Sequence, residues 1–170
     1  MPGRTPGEAR EAFLAPLRRA LSCITADQLY VAGKSPGEVE ALTLSRDPLP
    51  LHSPRIGAVQ LELGHQFRLV PDEAGWHVST TAYRYHLLDE AGGELIGWHW
   101  HPGSGSDRPH IHVRAGRVDR HVHVPTGRVS IESVLRLLLT DLQVAPRRGD
   151  FAAVLDEAEA RFITHRRWHG

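Results

Sequence analysis

Three short stretches of the chain each carry two histidines one residue apart: His99 and His101, His110 and His112, His121 and His123. Residues two apart on a β-strand point to the same face, so each pair would project both imidazoles from one side of a sheet. Half of the chain's 12 histidines belong to these pairs. The residues of opposite parity, Trp98, Trp100, Ile111, Val113, Val122 and Val124, are apolar and read as core.

Such a face supports two kinds of chemistry. Neutral imidazoles can hold Zn²⁺ or another divalent transition ion, leaving an open position where the pKa of bound water falls to about 7 and the hydroxide attacks an ester. Without a metal, one neutral histidine takes a proton from a nucleophile, a protonated one gives a proton to the leaving group, and arginines hold a phosphate. The candidate catalytic residues are His86, His99, His101, His110 and His112, with Arg84, Arg108, Arg114 and Arg120 as candidate phosphate ligands. In the metal version a subset of His99, His101, His110, His112, His121 and His123 would be the ligands. A single His-x-His pair is more often a solvated strand face; repetition is what points to a site.

The elements that must position these residues are legible from periodicity. From Glu8 to about Ile24, the residues Phe13, Leu14, Leu17, Leu21 and Ile24 approximate a helical stripe, interrupted by Pro16, which either kinks one helix or starts a second. Strand-like runs follow at Ala41 to Arg46, Gly57 to Val70, Trp76 to Leu88, Glu94 to His101, His110 to Ala115 and Arg120 to Val124. Prolines and glycines punctuate them, including Pro48, Pro50 and Pro54. Alternation is clearest at Val59, Leu61 and Leu63 and at Tyr83, Tyr85 and Leu87, which puts Arg84 and His86 on the polar face with the histidine pairs. A hairpin around the Pro102 to Pro109 loop would set His101 near His110 and His99 near His112, with opposed Cβ atoms about 4.5 to 5.5 Å apart. A second turn near Ala115 to Asp119 would add His121 and His123. The remaining histidines, His52, His65, His77, His165 and His169, read as core-edge or surface residues.

Two amphipathic helical stripes close the chain: Ile131, Val134, Leu135, Leu138, Leu139 and Leu142 after Ser130 as N-cap, then Phe151, Val154, Leu155, Ala158 and Phe162 after Asp150. Grouped strands between helices predict an α+β fold: an antiparallel sheet of about five to six strands with the N-terminal and C-terminal helices packed on one face. The histidines would occupy the other.

With 170 residues, 41% of them apolar and 24% charged, residues 1–170 read as a single domain with residues 1–7 as a flexible tail. No run approaches the roughly 18 apolar residues of a membrane span, and the Met1 to Gly7 segment has no apolar stretch, so no membrane association and a cytoplasmic location are expected. The lone Cys23 excludes an intramolecular disulfide and a thiolate cluster. The formal charge is zero with histidine neutral and does not select a partner. Arg147-Arg148 and Arg166-Arg167 read as solvated helix ends.

Several histidine signatures are excluded. Each run has two histidines where histidine-triad hydrolases use three, no hydroxyl residue follows two positions on as in two-histidine phosphoesterases, and no His-Glu-x-x-His occurs. A Walker loop and a dinucleotide fingerprint are missing too, so no nucleotide cofactor is expected. A positive resemblance comes from the order Tyr83-Arg84-Tyr85-His86, Asp89 with Gly92-Gly93, an apolar strand ending in a histidine-rich loop, Pro109-His110-Ile111-His112-Val113, and Ser130-Ile131-Glu132-Ser133-Val134-Leu135. Over about residues 76 to 142 this resembles the TumE-type toxin family of bacterial and archaeal toxin-antitoxin systems. The resemblance implies a small growth-inhibiting protein restrained by an antitoxin and acting on RNA, and by position it nominates His86, His99, His101, His110 and His112. His121 and His123 have no counterpart in it. The expectation is a histidine-dependent hydrolase, a phosphodiesterase or ribonuclease-like toxin. Its alternative is a non-catalytic metal-binding or protein-interaction module with a histidine-lined sheet face.

Overall fold

The computed structural model describes residues 3–33, 37–103, 107–114 and 122–165. Helix α1 (Pro6–Leu21) starts at Thr5, whose hydroxyl accepts from the Glu8 amide at 3.2 Å while the Glu8 carboxylate accepts from the Arg4 amide at 2.7 Å. The first satisfies a donor that a helix start leaves open, and the second ties the residue before the cap to the first turn. The helix is one piece with Pro16 inside it, so the proline does not start a second helix. Ala9, Leu14, Leu17, Ala20 and Leu21 form its buried stripe and offset the hydrogen bond that Pro16 cannot make. Within the segment read as a flexible tail, Gly3 exchanges backbone bonds with Trp76 at 2.8 and 2.7 Å.

The strands are β1 (Leu29–Ala32), β2 (Glu40–Leu44), β3 (Leu49–Ser53), β4 (Gly57–Asp72), β5 (Gly75–Asp89), β6 (Glu94–Trp100), β7 (His110–Val113) and β8 (Val124–Pro125). They form one antiparallel sheet in the order β1-β2-β4-β5-β6-β7-β8, with β3 pairing β4 beside β2. The fold is therefore α+β as expected, but among the described residues the sheet has eight strands, more than five to six. One added strand, β3, runs through Pro50, which had read as punctuation. It is an edge strand paired only to β4, where a missing N–H costs no second ladder. The other, β1, is a four-residue edge strand at the opposite end of the path.

After β8, helix α2 (Ile131–Arg136) opens on Ser130, whose hydroxyl accepts from the Ser133 amide at 3.1 Å, as the N-cap expectation required. It passes into a π-helical turn (Leu137–Asp141), closed by a bond of 3.0 Å from the Leu142 amide to the Leu137 carbonyl. Helix α3 (Phe151–His165) follows. Asp150 precedes it, with its carboxylate held by Arg148 at 2.6 and 2.8 Å.

The helices cover one sheet face. Phe67, Tyr85, Leu87, Trp98 and Trp100 from the strands meet Leu17, Leu21, Leu135, Leu138 and Leu155 from the helices in one core. A fully buried side chain of this size contributes about 1.5 to 3 kcal/mol. Arg10 also ties α1 to β2 through a bidentate pair with the fully buried carboxylate of Glu40, at 2.8 and 2.6 Å. Val122 and Val124, read as core from their parity, are exposed: β8 is a two-residue edge strand lying past the core. No helix among the described residues is long and apolar enough to cross a membrane.

Candidate functional site

The uncovered face carries His86 and Arg84 on β5, His99 on β6, and His110 and His112 on β7. Their shared face follows from strand alternation, which Tyr83, Tyr85, Leu87, Trp98 and Trp100 anchor by filling the core on the other side. His101 lies one residue past β6 and His123 one residue before β8, and both rings join the group. Ring centroids are 4.8 Å apart for His86 and His99, 4.5 Å for His99 and His112, 5.5 Å for His101 and His110, and 4.3 Å for His110 and His123. Six imidazoles among the described residues are thus linked in one continuous run of ring contacts. Arg120 and His121 lie outside the described residues.

The pairing differs from the expected hairpin by two residues. His99 faces His110, and His112 faces Gly97, rather than His101 facing His110 and His99 facing His112. An even shift preserves every face, which is why the parity reading survives it. Gly97 is now flanked by His112 on one side and His86 on the other. A Cβ there would lie 2.7 Å from Glu94 Oε2 and 2.9 Å from His99 Nε2. The glycine therefore leaves the space in which a carboxylate and an imidazole nitrogen meet.

Glu94 reaches this space through a β-bulge. Leu87 pairs with Ile96 but Leu88 pairs with Glu94, so Leu95 is the extra residue. By alternation with Ile96 and Trp98, Glu94 would point into the core; the bulge turns it over to the histidines. Its Oε2 lies 3.3 Å from His86 Nε2 and 3.9 Å from His99 Nε2, and its Oε1 lies 3.5 Å from His112 Nδ1. A second carboxylate comes from β4, where Glu62 Oε2 is 3.1 Å from His86 Nδ1.

These contacts fix tautomers. A carboxylate or carbonyl oxygen only accepts, so His86 donates from Nδ1 to Glu62, and His110 donates from Nδ1 to the Arg108 carbonyl at 2.9 Å. His112 Nδ1 faces Glu94, and its Nε2 is buried with no hydrogen bond among the described residues. In neutral His110 and His112 Nε2 then carries the lone pair, an arrangement shared by histidines that ligate metals while an outer oxygen orients them; His86 Nε2 instead faces the Glu94 carboxylate and His99. His86 Nε2 and His99 Nε2 are 2.6 Å apart and share one proton. Burial, and then the charges of His86, His112, His110 and His101, lower the His99 pKa to about 3. At neutral pH His99 is a base or ligand and not an acid. Burial also lowers His112, opposed by Glu94 and reinforced by His123 and His110.

Among the described residues, three groups bring ligand atoms within 4.8 Å of one another: His86, Glu94 and His99; His99, His101 and His110; and His110, His112 and His123. Tetrahedral ligands at about 2.0 to 2.1 Å from zinc sit roughly 3.3 Å apart. In the first group His86 and Glu94 are already at 3.3 Å, and His86 and His99 would need to separate by less than about 1 Å to reach that spacing.

The arginines divide. Arg84 is exposed directly opposite His99. Arg114 is held instead by Asp89 at 3.1 Å, and the Arg108 carbonyl accepts from His110 Nδ1. Trp98 and Trp100 are buried, with Arg128 stacked 3.5 Å over the Trp100 ring. Of the other histidines, His65 is buried on the core side, His77 pairs with Asp72 at 3.4 Å and His52 is exposed. His165 and His169 have no described side chains.

Sequence reading missed Glu62, Glu94 and Gly97. Glu62 shares the polar parity between Leu61 and Leu63 and was findable. An isolated glycine between strand residues signals a bulge or a close approach, so Gly97 carried a clue as well. Glu94 carried none, because alternation assigns it to the wrong face. In comparisons with known proteins, no family model, no curated protein and no solved structure matches the chain.

Proposed function

We propose that the histidine face is a divalent transition-metal centre and that the protein is a metal-dependent hydrolase of phosphodiester bonds, RNA being the substrate drawn from the toxin-family resemblance. The observation that carries this reading is the orientation of the rings: His86 and His110 each commit Nδ1 to an outer oxygen and turn Nε2 toward the interior of the cluster. His86, Glu94 and His99 form the donor set best suited to the task. Imidazole favours Zn²⁺, Cu²⁺, Fe²⁺ or Ni²⁺, and three protein ligands leave a position for water. An ion held there would supply a water with a pKa near 7 and polarise the phosphoryl oxygen. Glu62 holds His86 in the ligating tautomer. Arg84, exposed beside His99, offers forked donors to the phosphate.

RNA cleavage by the purified, untagged protein should stop on chelation and return when Zn²⁺ or Mn²⁺ is restored. Elemental analysis that finds no transition metal in the protein, and no uptake on reloading, would sink the metal centre; a loaded protein that cleaves no phosphodiester would sink the hydrolase. A second reading, a non-catalytic metal-binding or interaction module, is favoured by the surplus of donors, since six imidazoles can close a four-ligand shell and exclude water. A bound ion with no exchangeable water would select it. The antitoxin partner rests on the family resemblance and would appear as a small co-purifying protein that suppresses cleavage.

Gly97→Ala tests the geometry separately from the fold. The added methyl meets the far end of the Glu94 side chain and a ring nitrogen, both able to move aside, so the urea midpoint should stay close to wild type. Their displacement should weaken Zn²⁺ binding about 10- to 100-fold, the range seen when atoms supporting a metal shell are disturbed. A competition titration with a chromophoric chelator reads this, and wild-type affinity in the variant would show that the Glu94–His99 meeting point holds no ion.

A further inference from the structure

Among the three ligand groups, two have no member in common: His86, Glu94 and His99 on one side, and His110, His112 and His123 on the other. The third group borrows His99 from the first and His110 from the second, so it competes with both. From this partition we infer that the protein binds two ions at once, the second held by His110, His112 and His123. The inference rests on the metal reading of the first group given above.

Three features favour two outer sites over one central ion. First, the second group has its own orienting shell: His110 donates Nδ1 to the Arg108 carbonyl at 2.9 Å, and His112 turns Nδ1 toward Glu94 Oε1 at 3.5 Å. Both rings thereby present Nε2 as the ligating atom, and the His112 Nε2 is buried without a hydrogen bond among the described residues. Second, His123 stacks on His110 at 4.3 Å and 2° and lies 4.7 Å from His112, which gathers the three rings from β7 and the segment entering β8. Third, Glu94 divides its two oxygens between the groups, Oε2 toward His86 and His99 and Oε1 toward His112.

Glu94 is thus a ligand of the first ion and an orienting partner for a ligand of the second. An all-imidazole set suits Zn²⁺, Cu²⁺ or Ni²⁺ and disfavours Mg²⁺ and Ca²⁺, which prefer oxygen. Two adjacent cations can stabilise both the attacking and the leaving oxygen of a phosphodiester, so the second ion sharpens the substrate class toward phosphate esters.

The test is the stoichiometry of Zn²⁺ on the full chain, stripped with chelator and titrated against a chromophoric competitor. Wild type should take up two equivalents. His123→Ala, which removes an exposed side chain and leaves the folded core untouched, should take up one, and His86→Ala should also take up one. His112→Gln, which keeps the bulk of the ring position, should match His123→Ala. Glu94→Gln should lose one equivalent and bind the other about 10- to 100-fold more weakly. Circular dichroism before loading confirms that each variant is folded. A single equivalent in wild type that persists in His123→Ala and is lost in His86→Ala would overturn the second site and leave the first standing. A single equivalent insensitive to both His86→Ala and His123→Ala would place one ion among His99, His101 and His110 and overturn the partition. No uptake by wild type would overturn this inference together with the metal centre on which it rests.

Discussion

Replacing His99 by alanine is expected to abolish the metal-dependent activity and to weaken Zn²⁺ binding at the first site by more than about 100-fold, beyond the cost of losing an outer-shell partner. His99 is the ring on which the cluster turns. It contacts His86, His101, His110 and His112, and it belongs to two of the three ligand groups. Its low pKa, set by burial and by the neighbouring imidazoles, keeps it in the neutral form that coordinates a metal.

The thermal readout follows from linkage. Zn²⁺ at a hundred times the dissociation constant of a site stabilises the folded chain by about 2.7 kcal/mol, which for a chain of this length raises Tm by roughly 5 to 10 °C. A site weakened a hundredfold keeps only about 0.4 kcal/mol of that at the same Zn²⁺ concentration. Calorimetry with and without Zn²⁺ should therefore show a shift for wild type that falls in His99→Ala by the first site's share, leaving only what an ion at His110, His112 and His123 contributes. The shift should be unchanged in His52→Ala, an exposed histidine outside the cluster. An undiminished shift in His99→Ala would remove the first ligand group from consideration.

The second large effect concerns a histidine that the site does not use. His65 sits on the core side of β4, with Nδ1 2.6 Å from the Tyr85 hydroxyl, Nε2 3.1 Å from the Thr80 hydroxyl, and the rings of Phe13 and Phe67 beside it. Burial alone lowers its pKa to about 4. The folded value lies below the unfolded value of about 6.5, so the unfolded chain binds the proton first. His65 therefore contributes its full stability above about pH 6.5 and loses it as the pH falls toward 4. The total is about 3 kcal/mol for a separation of about 2.5 units.

Urea unfolding of chelated protein at pH 7.5 and pH 4.5 should show a loss for wild type that His65→Gln reduces by about 2.5 kcal/mol. His99 shifts in the same direction and leaves a residual loss in the variant. Equal pH dependence in the two proteins would show that His65 is not held neutral by burial. Because His65 faces the core and the cluster faces the opposite side, this loss is separable from metal release.

Much of the fold was readable residue by residue. Leu14, Leu17 and Leu21 mark the buried stripe of α1, Ser130 caps α2, and Tyr83, Tyr85 and Leu87 alternate onto the core. Each reports a local property: helical spacing, a side-chain oxygen placed at a helix start, or strand alternation. Edge strands escaped because their signals are weak. Pro50 looks like a breaker until β4 is known to run beside it, and Leu29–Ala32 is four residues long. Val122 and Val124 show the converse error, since an apolar residue is buried only where something covers it.

For the site, the amino-acid order by itself determined which imidazoles share a face, because side-chain direction along a strand has a period of two wherever no bulge interrupts it. The three His-x-His pairs are therefore a sequence property, and His99, His101, His110 and His112 are found together as expected. Only the tertiary structure decided which atoms meet. Register depends on how the loop between β6 and β7 closes and on how Trp98 and Trp100 seat against the helices, and it moved His112 from His99 to Gly97. The bulge at Leu95 reversed the face of Glu94, converting an apparent core residue into the carboxylate that touches both halves of the cluster. Pairing and bulges are settled by contacts between segments far apart in the chain, and local spacing holds no record of them.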